Sequence, residues 1–198
     1  MDTQAGIAHV TAGLRESADL KLKLANDAAP TIVKAANTIT ASLKAGGKVL
    51  LFGNGGSAAD AQHLAAEFVG RFAMERRALP AIAFTTDSSI LTAIGNDYGY
   101  EHVFVRQMEA LGRPNDVAIG ISTSGKSPNV VQAMRVARAA GLRTFALSGN
   151  DGGPLAEAAE LAVVVPSRVT ARIQECHIAV GHVLCELVEI AMFAADRQ

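Results

Sequence analysis

The sequence predicts a doubly wound α/β fold, in which a mostly parallel sheet of five strands is flanked by helices. Five short apolar runs recur along the chain, and each run is continuous rather than alternating, as expected for parallel strands buried on both faces. Segments with helical character separate these runs. The 198 residues contain no linker or repeat, so the chain fits one domain. We therefore expect a single domain over residues 1–198, with residues 1–47 as an N-terminal helical extension.

This N-terminal extension contains two helical stretches within residues 7–45, which break near residues 27–30. Gly46 and Gly47 end the second stretch. Apolar positions recur in both stretches more often than a solvated helical arm requires. They include Ile7, Val10, Leu14, Leu20, Leu24, Ile32, Val33, Ile39 and Leu43. We therefore expect these helices to pack between the subunits of an oligomer.

The rest of the chain alternates between strand and helix signals. The predicted strands are residues 49–52, 81–84, 117–121, 144–147 and 161–165. The predicted helices are residues 58–72, 89–95 with 103–111, 128–140, the short 154–159 and the long apolar 170–195. Helical segments therefore precede and follow the predicted sheet.

The bulk properties argue against two classes of partner. The net charge is −1, so we expect no nucleic-acid partner and no membrane-surface patch. No apolar run approaches the roughly 20 residues that span a bilayer, and the first residues lack the features of a secretory signal. Cys176 and Cys185 lie about 13 Å apart along one predicted helix, which is too far for a disulfide. Free thiols fit a cytoplasmic location.

The first functional motif follows the first predicted strand. Residues 53–57 read Gly-Asn-Gly-Gly-Ser, and the helical run after them carries His63 and Glu67 four residues apart. Glycines let the backbone approach a ligand, and the free N–H groups that open a helix attract an anion. Ser57 equally fits a plain N-cap. The pattern predicts a phosphate site, with a metal-ligand or acid–base pair beside it on one helix face.

A dinucleotide site is disfavoured, although residues 53–58 fit the fingerprint G-x-G-x-x-[GA]. That fingerprint needs an acidic residue about 20 positions further on, at the end of the second strand, to hold a ribose. The acidic residue after the second predicted strand is Asp87, 34 residues after Gly53, and Glu75 precedes that strand.

A nucleotide hydrolase is disfavoured for the second motif, residues 120–127, which match the P-loop pattern G-x-x-x-x-G-K-[ST]. Gly120 falls inside a predicted strand, and Pro128 suits the first helical position with Ser127 as its N-cap. No later predicted strand ends in the acidic residue that would hold Mg²⁺. What remains is a second phosphate cradle, made of hydroxyls and backbone N–H groups.

The last predicted helix adds three polar candidates, Gln174, His177 and His182. Ligands of α/β sheets bind at the strand ends, where both loops lie. Simpler interpretations stay open for each histidine. His182 has apolar neighbours and fits a core histidine, His177 fits a solvated or interface residue, and the pair His63–Glu67 fits an ordinary helix surface.

Four segments together resemble the sugar isomerase (SIS) domain family, and the resemblance covers nearly the whole chain. They read GNGGSAADAQH from residue 53, LTAIGNDYG from residue 91, ISTSGKS from residue 121 and RIQE from residue 172. The resemblance implies a homotetramer with active sites between subunits. It implies one Zn²⁺ per subunit, held by His63, Glu67, Gln174 and His182. The substrate-binding residues that follow from it are Asn54, Gly55, Gly56, Ser57, Glu67, Asn96, Asp97, Ser122, Thr123, Ser124, Ser127 and Gln174.

The resemblance also implies an aldose–ketose isomerase. The expected substrate is D-sedoheptulose 7-phosphate and the product D-glycero-D-manno-heptose 7-phosphate, a precursor of the heptose in bacterial lipopolysaccharide. The alternative within the same family is a non-enzymatic scaffold that binds the bacterial replication initiator. That branch lacks the acid at the position of Glu67 and the histidine at the position of His182, whereas this chain has both.

The chemistry of such an isomerase assigns provisional roles. One proton leaves C1 and another reaches C2 through an enediolate, which needs a base and a group that stabilises the oxyanion. Glu67 is the candidate base and His182 the candidate proton carrier or opposing acid. A zinc-bound carboxylate is a poorer base. Whether Glu67 acts as ligand, as base or as both therefore stays open. Gln174 and His182 lie about 12 Å apart along one helix, so they share a metal only if their side chains lean together or come from different subunits.

Overall fold

The sheet has five parallel strands in the order β2-β1-β3-β4-β5, in a computed structural model that describes residues 2–194. The strands are β1 (Val49–Gly53), β2 (Ala81–Ala83), β3 (Val117–Ser122), β4 (Arg143–Gly149) and β5 (Leu161–Val165). Every neighbouring pair is parallel. The predicted fold class is confirmed, and each predicted strand is present within two residues of its expected ends.

Eight α-helices lie within residues 2–194. They are α1 (Thr3–Asp27), α2 (Ala29–Lys44), α3 (Gly56–Val69), α4 (Ser88–Tyr98), α5 (Val105–Leu111), α6 (Pro128–Ala139), α7 (Gly153–Ala158) and α8 (Thr170–Phe193), with a 3-10 turn at Tyr100–His102. Pro30 lies in the first turn of α2, where its missing N–H has no helical partner to lose. The break between α1 and α2 is therefore where the sequence predicts it. The predicted end of the last helix, Ala195, lies outside the described residues.

The start of α3 corrects the interpretation of Ser57 as an N-cap. Gly55 occupies the N-cap position with a φ of 56°, a conformation that favours glycine. Ser57 lies inside the first turn and is buried. The helix also ends three residues before the predicted residue 72, because the guanidinium of Arg76 binds the last carbonyls of α3.

Side chains of the strands alternate between two cores on opposite faces of the sheet. Leu51 and Ile119 pack into the core formed with α2, α3 and α8. Leu50 and Phe52 pack into the core formed with α5, α6 and α7. Successive residues of a strand face opposite sides, so the continuous apolar runs reflect burial of both faces.

Helix α8 corrects the expectation that no apolar segment approaches the length of a membrane span. By length and composition alone it could cross a bilayer. Its apolar residues instead fill the core against α2, α3 and the sheet, among them Ile173, Val180 and Val188. Cys176 and Cys185 are free and buried, as predicted, and burial raises the pKa of Cys185 to about 12.

Helix α1 contrasts with α8 in its exposure. Only Ser17 and Leu24 of α1 are buried. Ile7, Val10, Leu14 and Leu22 are each more than half exposed. This apolar face is uncovered in the single chain. Its packing between subunits stays a prediction.

Candidate active site

The site lies where the strand order reverses. Strand β1 is the second strand of the sheet, and the chain leaves it toward β2 on one side and later returns to β3 on the other. The loops that follow β1 and β3 therefore meet at the carboxyl edge of neighbouring strands. Ligands of open α/β sheets bind in the crevice at such a switch point.

The loop after β1 exposes Gly55 and Gly56 at the N-terminus of α3. Asn54 is held in place by reciprocal amide hydrogen bonds with Asn129, of 2.8 and 2.9 Å. The hydroxyl of Tyr100 donates to the same Asn54 Oδ1 over 3.4 Å. The free N–H groups that open α3 thus border an amide whose position is fixed.

The loop after β3 gathers three serine hydroxyls. Ser122 Oγ lies 2.9 Å from Ser127 Oγ and 3.4 Å from Ser124 Oγ, and the backbone N–H of Lys126 donates to Ser124 Oγ over 3.2 Å. Thr123 lies between them, and its carbonyl accepts a hydrogen bond from Asn150. A serine hydroxyl can rotate, so each of these O–H groups can turn to donate to an anion.

The surroundings of this loop differ from those of a P-loop. Gly120 lies inside β3, and α6 begins at Pro128 with Ser127 at its N-cap. Asp87, the acid that a dinucleotide site would need, instead caps α4 by accepting the N–H of Ile90. Both disfavoured nucleotide interpretations therefore lack their structural context.

A cleft of about 540 Å³ opens beside the two loops. Its lining residues are Asn54, Tyr100, Glu101, Ser127, Pro128, Asn129 and Gln132. Asn129 and Tyr100 are absent from the sequence-based set of site residues. The position of Asn129 just after the serine loop is a signal that could have found it, whereas the contact of Tyr100 depends on the tertiary fold.

Asn96 and Asp97 lie on the last turn of α4, and both are exposed. Their side chains bond each other, with Asn96 Nδ2 donating to Asp97 Oδ1 over 2.8 Å. Tyr100, which contacts Asn54, follows three residues after Asp97. Asn96 and Asp97 are therefore close in sequence to Tyr100, which lines the cleft, but their side chains bond each other.

A second group of polar side chains forms where α3 and α8 run side by side. His63 Nε2 lies 3.0 Å from His182 Nε2 and 3.2 Å from Glu67 Oε1. One ligand atom from each of the three residues lies within 4.8 Å of the others. The sequence-predicted set of His63, Glu67 and His182 is thus brought together in one chain, and we refer to these three residues as the cluster.

The close approach of α3 and α8 depends on a glycine. A Cβ at Gly181 would lie 2.6 Å from a methyl carbon of Leu64, which excludes any larger residue without repacking. Leu64 and Gly181 are the direct neighbours of His63 and His182. The ring of Phe72 also packs on His182, with ring centroids 5.7 Å apart.

Gln174 occupies a different place from the cluster. Its side chain fills the space that a Cβ at Gly56 would take, at the start of α3. Gly56 lies seven residues, or about 10 Å, before His63 along the same helix. Within one chain, Gln174 therefore borders the glycine loop, two helical turns from the cluster.

Asp60 adds negative charge one turn before His63. Its Oδ2 is buried and has no hydrogen-bond partner among the described residues. Burial raises the pKa of this carboxyl, and the nearby His63 opposes that rise. A cation beside His63 would lie close to this carboxylate.

The cluster fits a divalent metal ion by its donor set and spacing. Zinc binds imidazole nitrogen and carboxylate oxygen at about 2.0–2.2 Å in tetrahedral geometry, which places two ligand atoms about 3.3 Å apart. The separations of 3.0 and 3.2 Å in the cluster are close to that value. Two imidazoles and one carboxylate leave at least one coordination position for a further ligand.

The structure reverses the simpler interpretations of His182 and His177, because the residue expected in the core is partly exposed and the other is buried. His182, which fits a core histidine by sequence, is only partly buried and faces His63. His177, which fits a solvated residue, is buried and donates from Nε2 to the carbonyl of Ser148 over 3.0 Å. Its burial lowers its pKa to about 4.

These features define an α/β protein with a glycine-rich loop and a serine-rich loop at the switch point of its sheet and a polar cluster beside them. The family follows from comparison with known proteins. A family model described as the SIS domain matches residues 14–149, and the chain belongs to this family. The predicted resemblance is thereby confirmed.

Individual relatives extend the match to most of the chain. It is 61% identical over 175 residues to a phosphoheptose isomerase of Aquifex aeolicus, covering 88% of this chain and 92% of the relative. It is 58% identical to one of a Roseiflexus species, covering 91% of each. The solved phosphoheptose isomerase of Neisseria gonorrhoeae is 45% identical, with a TM-score of 0.87 over 92% of this chain and 97% of that one.

Proposed function

We propose that this chain is an isomerase that converts D-sedoheptulose 7-phosphate into D-glycero-D-manno-heptose 7-phosphate. The observation that carries the proposal is the placement of the cluster about 10 Å along α3 from the anion-binding glycine loop. A 7-phosphate ketose has its phosphate and its reacting carbons at opposite ends, so it suits such a site. The name shared by the relatives, phosphoheptose isomerase, supports the same conclusion.

Binding of the phosphate falls to the two loops. The backbone N–H groups of Gly55 and Gly56 lie at the start of α3, and the helix dipole favours negative charge there. The hydroxyls of the loop after β3 supply further donors. The proposed substrate contacts are Asn54, Gly55, Gly56, Ser57, Glu67, Asn96, Asp97, Ser122, Thr123, Ser124, Ser127 and Gln174. Binding energy from the phosphate end then positions the reacting carbons.

Proton transfer falls to the cluster. Glu67 removes the proton from C1 of the ketose, which gives the enediolate, and a proton is then returned to C2. His182 carries protons between the two oxygens, O1 and O2, as the carbonyl moves from C2 to C1. The second oxygen of the Glu67 carboxylate is available for this role, since only Oε1 faces His63.

The metal that we propose is Zn²⁺, one per chain, held by His63, Glu67 and His182 with Gln174 as the fourth protein ligand. When bound, it supplies a Lewis acid that stabilises negative charge on the substrate oxygens. Since Gln174 borders the glycine loop within one chain, its participation requires a swing of its side chain or the Gln174 of another subunit. Imidazole and carboxylate ligands suit zinc.

We also propose a location, a use for the product and an oligomeric state. The protein acts in the cytoplasm, where its buried thiols stay reduced, and its product supplies heptose for lipopolysaccharide. The exposed apolar face of α1 is covered in a homotetramer, in which active sites lie between subunits. Light scattering at micromolar concentration tests this, since a stable and fully active monomer would contradict it.

The assay that tests the function is incubation of the purified protein with sedoheptulose 7-phosphate, with and without a chelator. We expect an aldose phosphate to form, and the chelator to stop its formation. The alternative, a scaffold that binds the bacterial replication initiator, predicts no aldose and no stoichiometric metal. That outcome would replace the isomerase proposal.

A further inference from the structure

A buried carboxylate outside the cluster has all of its hydrogen-bonding capacity used. Glu189, near the end of α8, is 1% exposed. Its carboxylate accepts the backbone N–H groups of Phe72, Ala73 and Met74 and the Nε–H of Arg76, at 2.8–3.1 Å. Burial alone would raise its pKa, but these four donors hold the pKa below its ordinary value. Glu189 is therefore a charged anchor for residues 72–76.

Arg76 extends this anchor to the end of α3. Its guanidinium bonds Glu189 through Nε and donates from Nη2 to the carbonyl of Glu67 over 2.8 Å. From Nη1 it donates to the carbonyl of Phe68 over 2.9 Å. The last carbonyls of a helix have no partner within it, and a cation at that end is favourable. Arg76 thus binds the backbone of a cluster residue directly.

The same anchor reaches the other side of the cluster. Glu189 follows His182 by seven residues, or two turns, on one face of α8. Phe72, whose N–H bonds Glu189, packs its ring on His182. The pair therefore joins the segment of α3 that carries Glu67 to the segment of α8 that carries His182.

We propose that Arg76 and Glu189 are positioning residues, which hold α3 and α8 at the separation that the cluster needs to bind metal and transfer protons. The proposal rests on the proposed function. A buried ion pair is weak evidence for a gain in stability, because desolvation offsets much of the attraction, and fixing one arrangement of elements is its better-attested use. Arg76 contacts α3 through the carbonyls of Glu67 and Phe68, and it contacts α8 through Glu189.

The chain offers a matched control in a second ion pair with a buried partner. Lys48 Nζ lies 2.6 Å from Asp116 Oδ2, and the Asp116 side chain is 3% exposed. These residues precede β1 and β3, at the edge of the sheet opposite to the site. Loss of this pair should affect folding without moving α3 relative to α8.

The experiment compares Arg76→Lys and Glu189→Asp, which keep each charge but shorten its reach, with Asp116→Asn. Zinc affinity is measured by competition with a chromophoric chelator, and thermal unfolding is followed in the metal-free proteins. Outer partners of metal ligands typically affect affinity by about 10–100-fold, so we expect the zinc dissociation constant to rise at least about tenfold in the first two variants. We expect kcat to fall with it, while KM for the sugar phosphate stays nearly constant.

The control variant should lose thermal stability yet keep the parental zinc affinity and kcat. If Arg76→Lys and Glu189→Asp lose stability to a similar extent but bind zinc as tightly as the parent, the pair is merely structural and the proposal is wrong. If Arg76→Lys does not fold, Glu189→Asp alone decides between these outcomes.

Imidazole NMR signals of the metal-free proteins separate this proposal from the proposed function. In the parent, His63 and His182 share a hydrogen bond through their Nε2 atoms. If the parent binds no zinc, the proposed function fails, and the ring signals still decide the positioning claim. Signals of paired rings that are lost in Arg76→Lys and kept in Asp116→Asn support it, and signals unchanged in both overturn it.

Discussion

Two histidines five residues apart on α8 have opposite environments. His177 is buried, donates to the carbonyl of Ser148 at the end of β4, and has a pKa lowered to about 4 by burial. His182 is partly exposed and meets His63 and Glu67 of the neighbouring helix. The first ring is held neutral and joins a helix to the sheet, whereas the second faces other ligand atoms. The difference between the two histidines therefore comes from what the adjacent element places opposite each ring.

The largest expected effect is a loss of turnover when a residue of the cluster is replaced. Glu67→Gln removes the proposed base and a proposed anionic ligand while keeping size. His182→Asn removes a proposed ligand and proton carrier. We expect each variant to lose at least roughly 10²-fold in kcat, the scale of general acid–base catalysis. Steady-state kinetics with sedoheptulose 7-phosphate measures this.

Binding of the sugar phosphate should weaken less than turnover in these two variants, because neither residue belongs to the loops that contact the phosphate. Substrate affinity, measured by calorimetry, is the internal control. Near-parental turnover in both variants would show that the chemistry lies elsewhere. His182 would then have no catalytic role to distinguish it from His177.

The second effect falls on stability and comes from His177. The unfolded imidazole takes up a proton near its ordinary pKa of 6.5, while the folded one resists protonation down to about pH 4. The free energy of unfolding is therefore highest above pH 6.5 and falls by about 3 kcal/mol as the pH drops through this window. His177→Gln keeps an N–H donor but cannot titrate, so this part of the decline should vanish.

Denaturant unfolding of parent and variant between pH 4 and 7 tests the point. Carboxylates such as Glu189 titrate in both proteins, so the difference between the two curves isolates His177. Parallel curves would show that His177 does not resist protonation in the fold.

A smaller effect is expected at the loop after β3. Ser127→Ala removes one hydroxyl from the proposed phosphate contacts, and a hydrogen bond to a charged group is worth about 1.5–3 kcal/mol. We expect KM to rise about tenfold or more, with kcat less affected. Thr38→Ala on α2 removes an exposed hydroxyl away from the site and should change neither constant. A KM that is the same in both variants would remove Ser127 from the binding site.

The smallest expected effect concerns Lys126, the lysine of the P-loop-like motif. Because α6 begins only at Pro128, this side chain does not lie in a nucleotide-binding loop. Neither the parent nor Lys126→Ala should hydrolyse ATP. Metal-dependent ATP hydrolysis that is present in the parent and lost in the variant would overturn the isomerase assignment.

Much of the fold and part of the site follow from the sequence. The continuous apolar runs predict buried parallel strands. The glycine and serine loops directly follow two of these runs, so their position at the strand ends is predictable too. His63 and Glu67 are predictable as neighbours because four residues separate them on one helix. Local spacing is sufficient in each of these cases.

Contacts between distant segments could not be predicted in this way. His63 and His182 are 119 residues apart, and their approach depends on Gly181 admitting Leu64. Gly70, the C-cap of α3, is a sequence signal for the early end of that helix, but the contacts of Arg76 with its last carbonyls have no local signal. Glu189 reads as an ordinary acid on an apolar helix. The tertiary arrangement, rather than local propensity, places these groups.

In the proposed function, the cluster is a metal site on which isomerisation depends. The most direct measurement strips the protein with a chelator, returns Zn²⁺ in steps, and follows bound metal and aldose formation together. We expect activity to rise in proportion to bound zinc and to saturate at about one ion per chain, as for a single catalytic site. Full activity in the stripped protein, or zinc that binds at this stoichiometry without restoring activity, would contradict it.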